Sequence, residues 1–364
     1  MEGRPRRCPL VSGIWTQQQD LLYCSPPYLH VLKKPNKPDY TQPRAYRLIT
    51  LLECMGKLLE KVVAHRLTYL TGQYNLISGS QFGGRANSST SDVIFTFVHD
   101  IHNSWNHGLA TSVLTFNIKG YFDFVNHEHL LNEIKKYCIP LKLVKWTANF
   151  LSDREVAICL NGNQGEMKPV KNGIPQGSPI FLILASFYSA GLLDIFETPT
   201  NPIEIPENHA CNHPTHVSIL MYVDDGKLTV SSQSLDTNNY ILAKAYQLLD
   251  QWLHSARLSP NKDKRELMYY TQRKRDKISP HLNLTNRNGI ISTILVGSTI
   301  RWLEIHFDCK LLYNYHVTKI AVKAENAVAC ISMLANTIRG LSHYHLHLLY
   351  CTCILSIITY ASAA

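Results

Sequence analysis

A short hairpin pattern in the second half of the chain limits the folds that this sequence can form. The segment "VSILMYVDDGKLTV" runs from an apolar stretch through Asp224 and Asp225 into a stretch where Leu228 and Val230 alternate with polar residues. This pattern predicts two antiparallel strands, and Asp-Gly favours the tight turn because glycine accepts positive φ without steric cost.

Helices and further strands are predicted around this hairpin without a regular strand-helix-strand repetition. A buried strand is predicted for "SVLTFNIKGY", and residues 1–43 are Pro-rich and predicted to be irregular. Helices are predicted over 56–72, from about Asn126 or His127, after Ser178 as N-cap with Pro179 as first helical residue, over 235–257 and over 316–339 with a stop at Gly340. This mixture predicts the α+β class.

The adjacent carboxylates Asp224 and Asp225 have two interpretations. Turn aspartates commonly do no more than cap backbone amides. Nucleotide transfer by two metal ions instead requires carboxylates from separate strands around ions about 3.5 to 4 Å apart. The strand end in "LTFNIKGYFDFVNH" is occupied by Asn117, and Asp123 follows six residues later. The hairpin alone leaves both interpretations open.

Composition describes a basic globular protein. The 364 residues include 36 Lys and Arg against 27 Asp and Glu, which gives a formal net charge of +9. Such a balance favours a polyanionic partner such as nucleic acid. The hydrophobic share of 45% excludes a largely disordered chain.

The cysteine pattern favours free thiols over a disulfide framework. The ten cysteines show no repeated CxxC spacing, and no apolar segment of a secretory signal follows "MEGRPRRCPL". We therefore expect an intracellular, reducing compartment and no disulfide partner. One Pro- and Asn-rich segment has the spacing of zinc ligands, although a surface insertion is favoured there; its candidate ligands are His209, Cys211, His213 and His216.

The C-terminal segment 348–364 carries no charge over 17 residues. Because about 20 residues are needed to span a bilayer, a buried terminal helix is favoured over a membrane span.

Seven motifs occur in an order that resembles the reverse transcriptase of non-LTR retrotransposons, the LINE-like elements, and looks closest to fungal copies. They are "YRLITLL", "QFGGR", "FNIKGYFDFVNH", "NGIPQGSPI", "MYVDDGKL", "LSPNKDKRELM" and "RWLEIHFD", within about residues 30–364. The resemblance implies a right-hand polymerase that copies RNA into DNA from a primer 3′-hydroxyl. It implies an N-terminal extension over 1–43, fingers over 44–112, a palm over 113–305 with a fingers-related insertion at about 127–170, and a truncated thumb over 306–364.

The resemblance also implies a catalytic metal site. Asp224 and Asp225 match the family's metal-binding pair, and Asn117 matches its first catalytic aspartate. The backbone carbonyl of Ile118 would contact the metal on the nucleotide side, and Phe122 matches the bulky residue that rejects a ribose 2′-hydroxyl. The implied cofactors are two Mg²⁺ ions, with Mn²⁺ as a substitute.

Other matches concern the nucleotide. Gln176 and Gly177 match a loop that contacts template and incoming nucleotide, and Arg47 matches a fingers arginine able to grip a triphosphate. Arg85 is a weaker candidate for a fingers contact, and Lys264 resembles the lysine that protonates the departing pyrophosphate. For Arg47 and Lys264 the plain alternative is a solvated surface charge.

The implied partners are an RNA template, a DNA primer and dNTPs, with no membrane. The segment "RWLEIHFD" resembles the hairpin that grips the primer, and thumb residues Lys319, Lys323 and Arg339 would meet the nucleic-acid backbone. The family's chemistry on chromosomal targets implies action in the nucleus.

Several positions depart from the family pattern. Asn117 lacks the charge with which an aspartate holds metal ions, and Asp123 lies beyond the strand end. Leu48 stands where proline is usual, "SPIFLI" lacks a second Ser-Pro at Phe181 and Leu182, and Glu304 replaces a turn glycine. The sequence therefore predicts a degenerate copy with weak or no polymerase activity. The alternatives are an active polymerase, a non-catalytic RNA- or DNA-binding remnant, and an unstable chain.

Overall fold

The computed structural model describes residues 28–35, 37–160, 163–197, 203, 216–273, 281–335, 340–360 and 362. They form two compact units. The first comprises Met1–Asn87, Ile118–Thr200 and Asp250–Pro260, and the second comprises Ser88–Asn117, Asn201–Leu249 and Asn261–Ala364. Antiparallel sheets and helices are mixed in the chain, which confirms the predicted α+β class. The division into fingers, palm and thumb at the stated boundaries stays a prediction.

A four-stranded antiparallel sheet is the main element of the second unit. Its strands, in spatial order, are β7 (His216–Tyr222), β8 (Asp225–Ser232), β3 (Ala110–Asn117) and β9 (Glu266–Tyr270). Every residue of β3 is buried because this strand pairs with β8 on one side and β9 on the other. The predicted hairpin and the predicted buried strand are both confirmed.

The turn between β7 and β8 differs from the prediction. Tyr222 pairs with Asp225, so Val223 and Asp224 form the turn, and Val223 has a φ of 62°. Gly226 lies within β8, where a Cβ would be 2.3 Å from the Cζ atom of Phe116. Gly226 therefore leaves the space that the ring of Phe116 occupies. The Asp-Gly turn was wrong because this packing is a tertiary contact that local turn chemistry does not report.

Two small hairpins and several helices complete the second unit. The hairpins are β10 (His281–Thr285) with β11 (Ile291–Leu295) and β12 (Thr299–Trp302) with β13 (Ile305–Asp308). The helices are α2 (Thr90–Asn106), α8 (Asn314–Leu334), α9 (His343–Leu349) and α10 (Ser356–Thr359), with a π-helix, Tyr350–Leu355, between the last two. Helix α8 ends before the predicted stop at Gly340, and residues 336–339 lie outside the described part.

The C-terminal segment is helical but not buried, contrary to the prediction. Ile354 is 5% exposed, whereas the side chains of Leu348, Tyr350 and Ile358 are 44 to 49% exposed. Apolar residues lie around the whole helical circumference, and α8 can cover only one side of it. No helix in the described residues is long and apolar enough to cross a membrane.

The first unit combines a mixed sheet with helices. Its sheet order is β2 (Tyr46–Leu51), β1 (Tyr28–Lys33), β4 (Arg154–Leu160) and β5 (Asn163–Gln164), with β6 (Lys168–Val170) also on β4. Its helices are α1 (Cys54–Tyr74), α3 (Tyr121–Phe124), α4 (His127–Lys136), α5 (Leu141–Leu151) and α6 (Phe181–Glu197). Strand β1 corrects the prediction that 1–43 is irregular throughout.

Helix starts agree with the predictions in part. The side chain of Asn126 accepts a hydrogen bond from the backbone N–H of His129 and caps α4, as expected. Helix α6 instead begins at Phe181, and the hydroxyl of Ser178 donates to the buried carboxylate of Glu60. The predicted start was two residues early: Ser178 Oγ also accepts from the backbone N–H of Ile180 at 3.3 Å, but Pro179 and Ile180 form a turn that precedes the helix. Helix α7 (Leu235–Ser255) runs from the second unit into the first and matches the predicted helix.

Candidate functional site

Two acidic side chains and one amide meet at the end of the four-stranded sheet. Antiparallel pairing places Asn117, the last residue of β3, directly opposite Asp225, the first residue of β8. Asp224 occupies the adjoining turn. The site therefore draws its groups from two neighbouring strands, as the sequence pattern predicted.

Asn117 connects the two carboxylates by hydrogen bonds. Its Nδ2 donates to Oδ2 of Asp224 at 3.0 Å and also to Oδ1 of Asp225. Its Oδ1 accepts from Nζ of Lys264 at 3.4 Å. Because Asn117 is only 7% exposed, its amide is committed to these partners. The structure thus brings Asn117, Asp224, Asp225 and Lys264 together.

Burial and like charge dominate the electrostatics of this cluster. Burial, with the neighbouring charge of Asp225, raises the pKa of Asp224 to about 6. The hydrogen bond from Asn117 and the charge of Lys264 oppose the rise without cancelling it. The carboxylate pair therefore carries a repulsion that a cation or a proton would relieve.

The donor set fits a divalent cation only in part. The carboxylates of Asp225 on β8 and of Asp224 in the turn before it are suitable oxygen ligands for Mg²⁺, which prefers such hard donors. The third position presents an amide N–H toward the carboxylates, and the described residues contain no group of three or more His, Cys, Asp or Glu side chains that could hold a metal ion. The chain supplies two charged ligands here and an uncharged third group.

Ile118 follows Asn117 directly and belongs to the first unit. Its side chain is 1% exposed, and the residue forms an isolated antiparallel bridge with Pro260. Nothing in this geometry assigns its carbonyl to a metal ion, so that role stays a prediction.

Within the first unit, the predicted nucleotide-loop residues lie against strand β2. The carbonyl of Gln176 accepts from the backbone N–H of Thr50 at 2.8 Å. Gly177 has a φ of 113°, and a Cβ there would lie 2.7 Å from the carbonyl oxygen of Thr50. Only glycine suits both the backbone angle and the close approach. This loop is therefore fixed beside the strand that carries Arg47.

Phe122 packs against a neighbouring ring, and Gln176 is hydrogen-bonded to the residue that follows Phe122. The ring of Phe122 packs edge-on against that of Phe181, with centroids 5.2 Å apart, and Gln176 donates to Asp123 at 3.4 Å. Partial burial raises the pKa of Asp123, while Lys34 and the Gln176 amide oppose the rise. Phe181, which departs from the family pattern, thus supports the residue proposed to sense the sugar.

The two predicted arginines differ in their surroundings. Arg47 is exposed on β2, opposite Leu32, so solvent can reach its side chain. Arg85 donates from Nη1 to the carbonyl of Ser78 at 3.4 Å, which orders its own loop. A structural role therefore accounts for Arg85 better than a ligand contact does.

The β12–β13 turn contains the departure at Glu304. Leu303 and Glu304 both have positive φ, 48° and 66°, and the Glu304 carboxylate pairs with the guanidinium of Arg301. The expected unfavourable φ is therefore present. Leu48, another departure, is exposed on β2 opposite Val31.

The predicted thumb residues and the suggested zinc ligands are either exposed or outside the described residues, apart from His216. Lys319 and Lys323 are exposed on α8, while Arg339 and the suggested zinc ligands His209, Cys211 and His213 lie outside the described residues. His216 opens β7.

Among the buried charged residues that sequence reasoning missed are Glu60 and Lys227. Glu60 holds Ser178 of the nucleotide loop, and burial raises its pKa. Its place on one helical stripe with Val63 and Leu67 was an available signal. Lys227 is 1% exposed on β8, two residues after Asp225. No local pattern indicated this burial, because the alternation with Leu228 and Val230 places Lys227 on the opposite face of the strand.

A family model described as reverse transcriptase (RNA-dependent DNA polymerase) matches residues 32–306. Curated relatives agree with it. The chain is 25% identical over 294 residues to the RNA-directed DNA polymerase from mobile element jockey, and 23% identical over 287 residues to the probable RNA-directed DNA polymerase from transposon BS, both of Drosophila melanogaster. These alignments cover 81% and 79% of this chain but 30% of each relative.

Solved structures show the same fold at low sequence identity. The chain matches telomerase of Candida tropicalis in complex with a fragment of telomeric RNA, with a TM-score of 0.50 and 11% identity, over 93% of this chain and 55% of that one. The apo telomerase of the same species gives a TM-score of 0.50 and 12% identity, over 83% and 50%. The shared architecture is the right-hand polymerase fold. The fungal origin suggested by the sequence stays a prediction.

Proposed function

Because the chain belongs to the reverse transcriptase family of retrotransposon RNA-directed DNA polymerases, we propose that it derives from an enzyme that extends a primer on an RNA template and that its own catalysis is strongly reduced. One observation carries the second half of the proposal. The Asn117 amide donates hydrogen bonds to both Asp224 and Asp225, where an aspartate would add a third negative charge. The chain spans about 30% of the length of these relatives, so substrates and partners are part of the proposal.

In this proposal Asp224 and Asp225 would hold Mg²⁺. Bound metal would activate the primer 3′-hydroxyl and neutralise the leaving pyrophosphate. Asn117 adds no charge, so a second ion would be held weakly there. The loss of one charged ligand is expected to lower the rate about 1,000-fold, which corresponds to about 4 kcal/mol of barrier.

The remaining site residues bind and orient the substrates. Arg47 grips the triphosphate, Gln176 and Gly177 contact template and nucleotide, and Phe122 excludes a ribose. The exposure of Arg47 and the fixed position of the loop beside β2 support these roles. Lys264 donates a proton to pyrophosphate in the family; here its contact with Asn117 Oδ1 supports a place beside the carboxylates.

Primer extension tests the proposal directly. The unmodified chain, Asn117→Asp and the control Asn117→Asp with Asp225→Asn are compared on an RNA template with a DNA primer, dNTPs and Mg²⁺ or Mn²⁺. Asn117→Asp is expected to extend the primer about 1,000-fold faster than the unmodified chain, and the double variant is not. Equal rates for the unmodified chain and Asn117→Asp would refute the reduced-activity claim.

A non-catalytic nucleic-acid-binding protein is the second candidate. The net charge of +9 and the exposed Lys319 and Lys323 on α8 favour it. Binding to a template-primer duplex should weaken steeply with salt and should persist in Asp224→Ala with Asp225→Ala. Undetectable binding at low salt would exclude this role. We place either activity in the nucleus, where chromosomal targets lie.

A further inference from the structure

One face of helix α1, in the first unit, presents apolar side chains to solvent. Four of these side chains are 39 to 68% exposed: Met55, Leu58, Val62 and Tyr69. The other face of α1 packs on the core of its unit, and its buried members are Glu60, Val63, Ala64, Leu67 and Thr71. The helix therefore has two faces with apolar residues, and the described residues bury only one of them.

The exposed apolar residues follow the spacing of a coiled-coil seam. Counted from Met55, they fall at alternating intervals of three and four residues, and His65 and Gly72 occupy the remaining seam positions. In heptad notation these are the a and d positions, whereas every buried residue of α1 falls at b, c or f. A second helix covers such a seam by inserting its own side chains between those of the first. The face has the pattern for a partner helix over about 21 Å, from Met55 to Tyr69.

Basic side chains flank this seam. Lys61 lies at a g position and Arg66 at the following e position, and both are exposed. Charges at e and g select the partner in a helix pair. A second copy of α1 would offer no acidic residue at any e or g position, and in a parallel pair Lys61 would face Arg66 of the other copy. The charges therefore favour an acidic helix over self-association.

A groove lies at the C-terminal end of the seam. It is lined by His65, Thr68, Tyr69, Gly72, Gln73 and Ala86, and its volume is about 450 Å³. A Cβ atom at Gly72 would have no atom within 4 Å, so this seam position is open. A large apolar side chain of a partner helix can enter there, which would fix the register of the pair.

We propose that the exposed face of α1 docks an acidic amphipathic helix of a partner protein. The partner presents apolar residues at alternating spacings of three and four, with glutamates beside them that pair with Lys61 and Arg66. A single short helix makes a small interface, so we expect a transient complex with a Kd on the order of 10 µM. This inference does not depend on polymerase activity.

Fluorescence anisotropy with labelled synthetic peptides tests the site on the full chain. The probe is a three-heptad peptide with Leu at a and d and Glu at e and g, whose like charges oppose its own pairing. One control peptide carries Lys at e and g, and another has the acidic composition in shuffled order. We expect the acidic probe to bind at least tenfold more tightly than either control.

Substitutions separate the apolar seam from its flanking charges. Leu58→Glu with Val62→Glu should weaken binding of the acidic probe at least tenfold. Lys61→Glu with Arg66→Glu should reverse the preference, so that the basic peptide binds more tightly than the acidic one. Leu141→Glu changes a similarly exposed leucine on α5 of the same unit and should leave binding unchanged. Circular dichroism confirms that each variant is folded.

Four results would each overturn the proposal. Equal binding of the ordered and shuffled acidic peptides would reduce the effect to net charge. Binding that survives Leu58→Glu with Val62→Glu would place the peptide elsewhere. A uridine oligonucleotide that displaces the probe and needs Lys61 and Arg66, but not Leu58, would assign the face to nucleic acid. Dimers of the unmodified chain in sedimentation, lost in the seam variant, would assign it to a second copy.

Discussion

Strand β8 carries two ionisable side chains on one face, Asp225 and Lys227, and their surroundings differ in polarity. Asp225, at its start, receives a hydrogen bond from Asn117. Lys227, two residues on, is 1% exposed, and its Nζ has no hydrogen-bond partner among the described residues. This amine lies 3.1 Å from the ring centroid of Phe97 and 4.8 Å from that of Trp302. One group is held by polar partners and the other by aromatic faces.

Asp224 and Lys227 both lower the stability of the folded chain, but the proposed function gives a reason only for Asp224. Burial lowers the pKa of Lys227 well below its usual value, although Asp100 opposes this shift. Burial likewise raises the pKa of Asp224. Both groups therefore reduce stability at neutral pH. The proposed function assigns the carboxylates to metal binding, whereas it assigns no role to Lys227, whose amine contacts the rings of Phe97 and Trp302.

The largest stability effect is expected from Lys227→Met. Methionine keeps the length of the side chain, contacts the same rings and removes a buried amine that lacks a hydrogen-bond partner. We expect the free energy of unfolding to rise by about 2 kcal/mol at pH 7, measured by urea denaturation. Lys310→Met, at an exposed position of the same unit, should change it by less than about 0.5 kcal/mol.

The stability difference between Lys227→Met and the unmodified chain should depend on pH in a definite direction. Because the folded-state pKa of Lys227 lies below its unfolded value, the unfolded chain binds more protons in the interval between them. The destabilising effect of the buried Lys227 amine should therefore shrink as the pH rises through this interval toward about 10.4. The gap between Lys227→Met and the unmodified chain should close at about 1.4 kcal/mol per pH unit there. A gap that widens would contradict a buried amine of lowered pKa.

Asp224→Asn should also stabilise the chain, by about 1.5 kcal/mol at pH 7. The folded-state pKa of Asp224, about 6, lies above the ordinary value of 3.8 for an aspartate, so the folded chain binds more protons between these two values. Stability of the unmodified chain should therefore fall as the pH rises from about 4 to 6, and Asp224→Asn should lose that fall. Denaturant midpoints across this range check it. Asp263→Asn, an exposed acid, should leave the slope unchanged.

The smallest expected effect concerns the β12–β13 turn. Glu304→Gly removes the side chain from a residue with a φ of 66° and should raise the free energy of unfolding by about 1 kcal/mol, less a few tenths for the exposed pair with Arg301. Glu304→Ala keeps the unfavourable φ and should give no gain. Equal thermal melting temperatures for the Gly and Ala variants would argue against backbone strain there.

The sequence was sufficient for features set by local patterns and motif order. The hairpin, helices α1, α4 and α7, and the meeting of Asn117 with Asp224 and Asp225 were all predicted. Antiparallel pairing brings these three residues together because the last residue of β3, Asn117, lies opposite the first residue of β8, Asp225.

Features that depend on distant partners were not predictable in the same way. The glycine at 226 is required by the ring of Phe116, and the hydroxyl of Ser178 donates to Glu60 on a different helix. A lysine at position 227 contradicts the apolar pattern unless the rings of Phe97 and Trp302 are known to surround it. These contacts join residues roughly a hundred positions apart, so no local pattern contains them.

The central claim is that Asn117 leaves the carboxylate pair short of one charged metal ligand. Mn²⁺ binding, counted by electron paramagnetic resonance of the free ion, tests this without any turnover. Asn117→Asp is expected to bind Mn²⁺ at least tenfold more tightly than the unmodified chain, and Asp224→Asn with Asp225→Asn should remove the binding that distinguishes them. Equal Mn²⁺ affinity of the unmodified chain and Asn117→Asp would contradict the account.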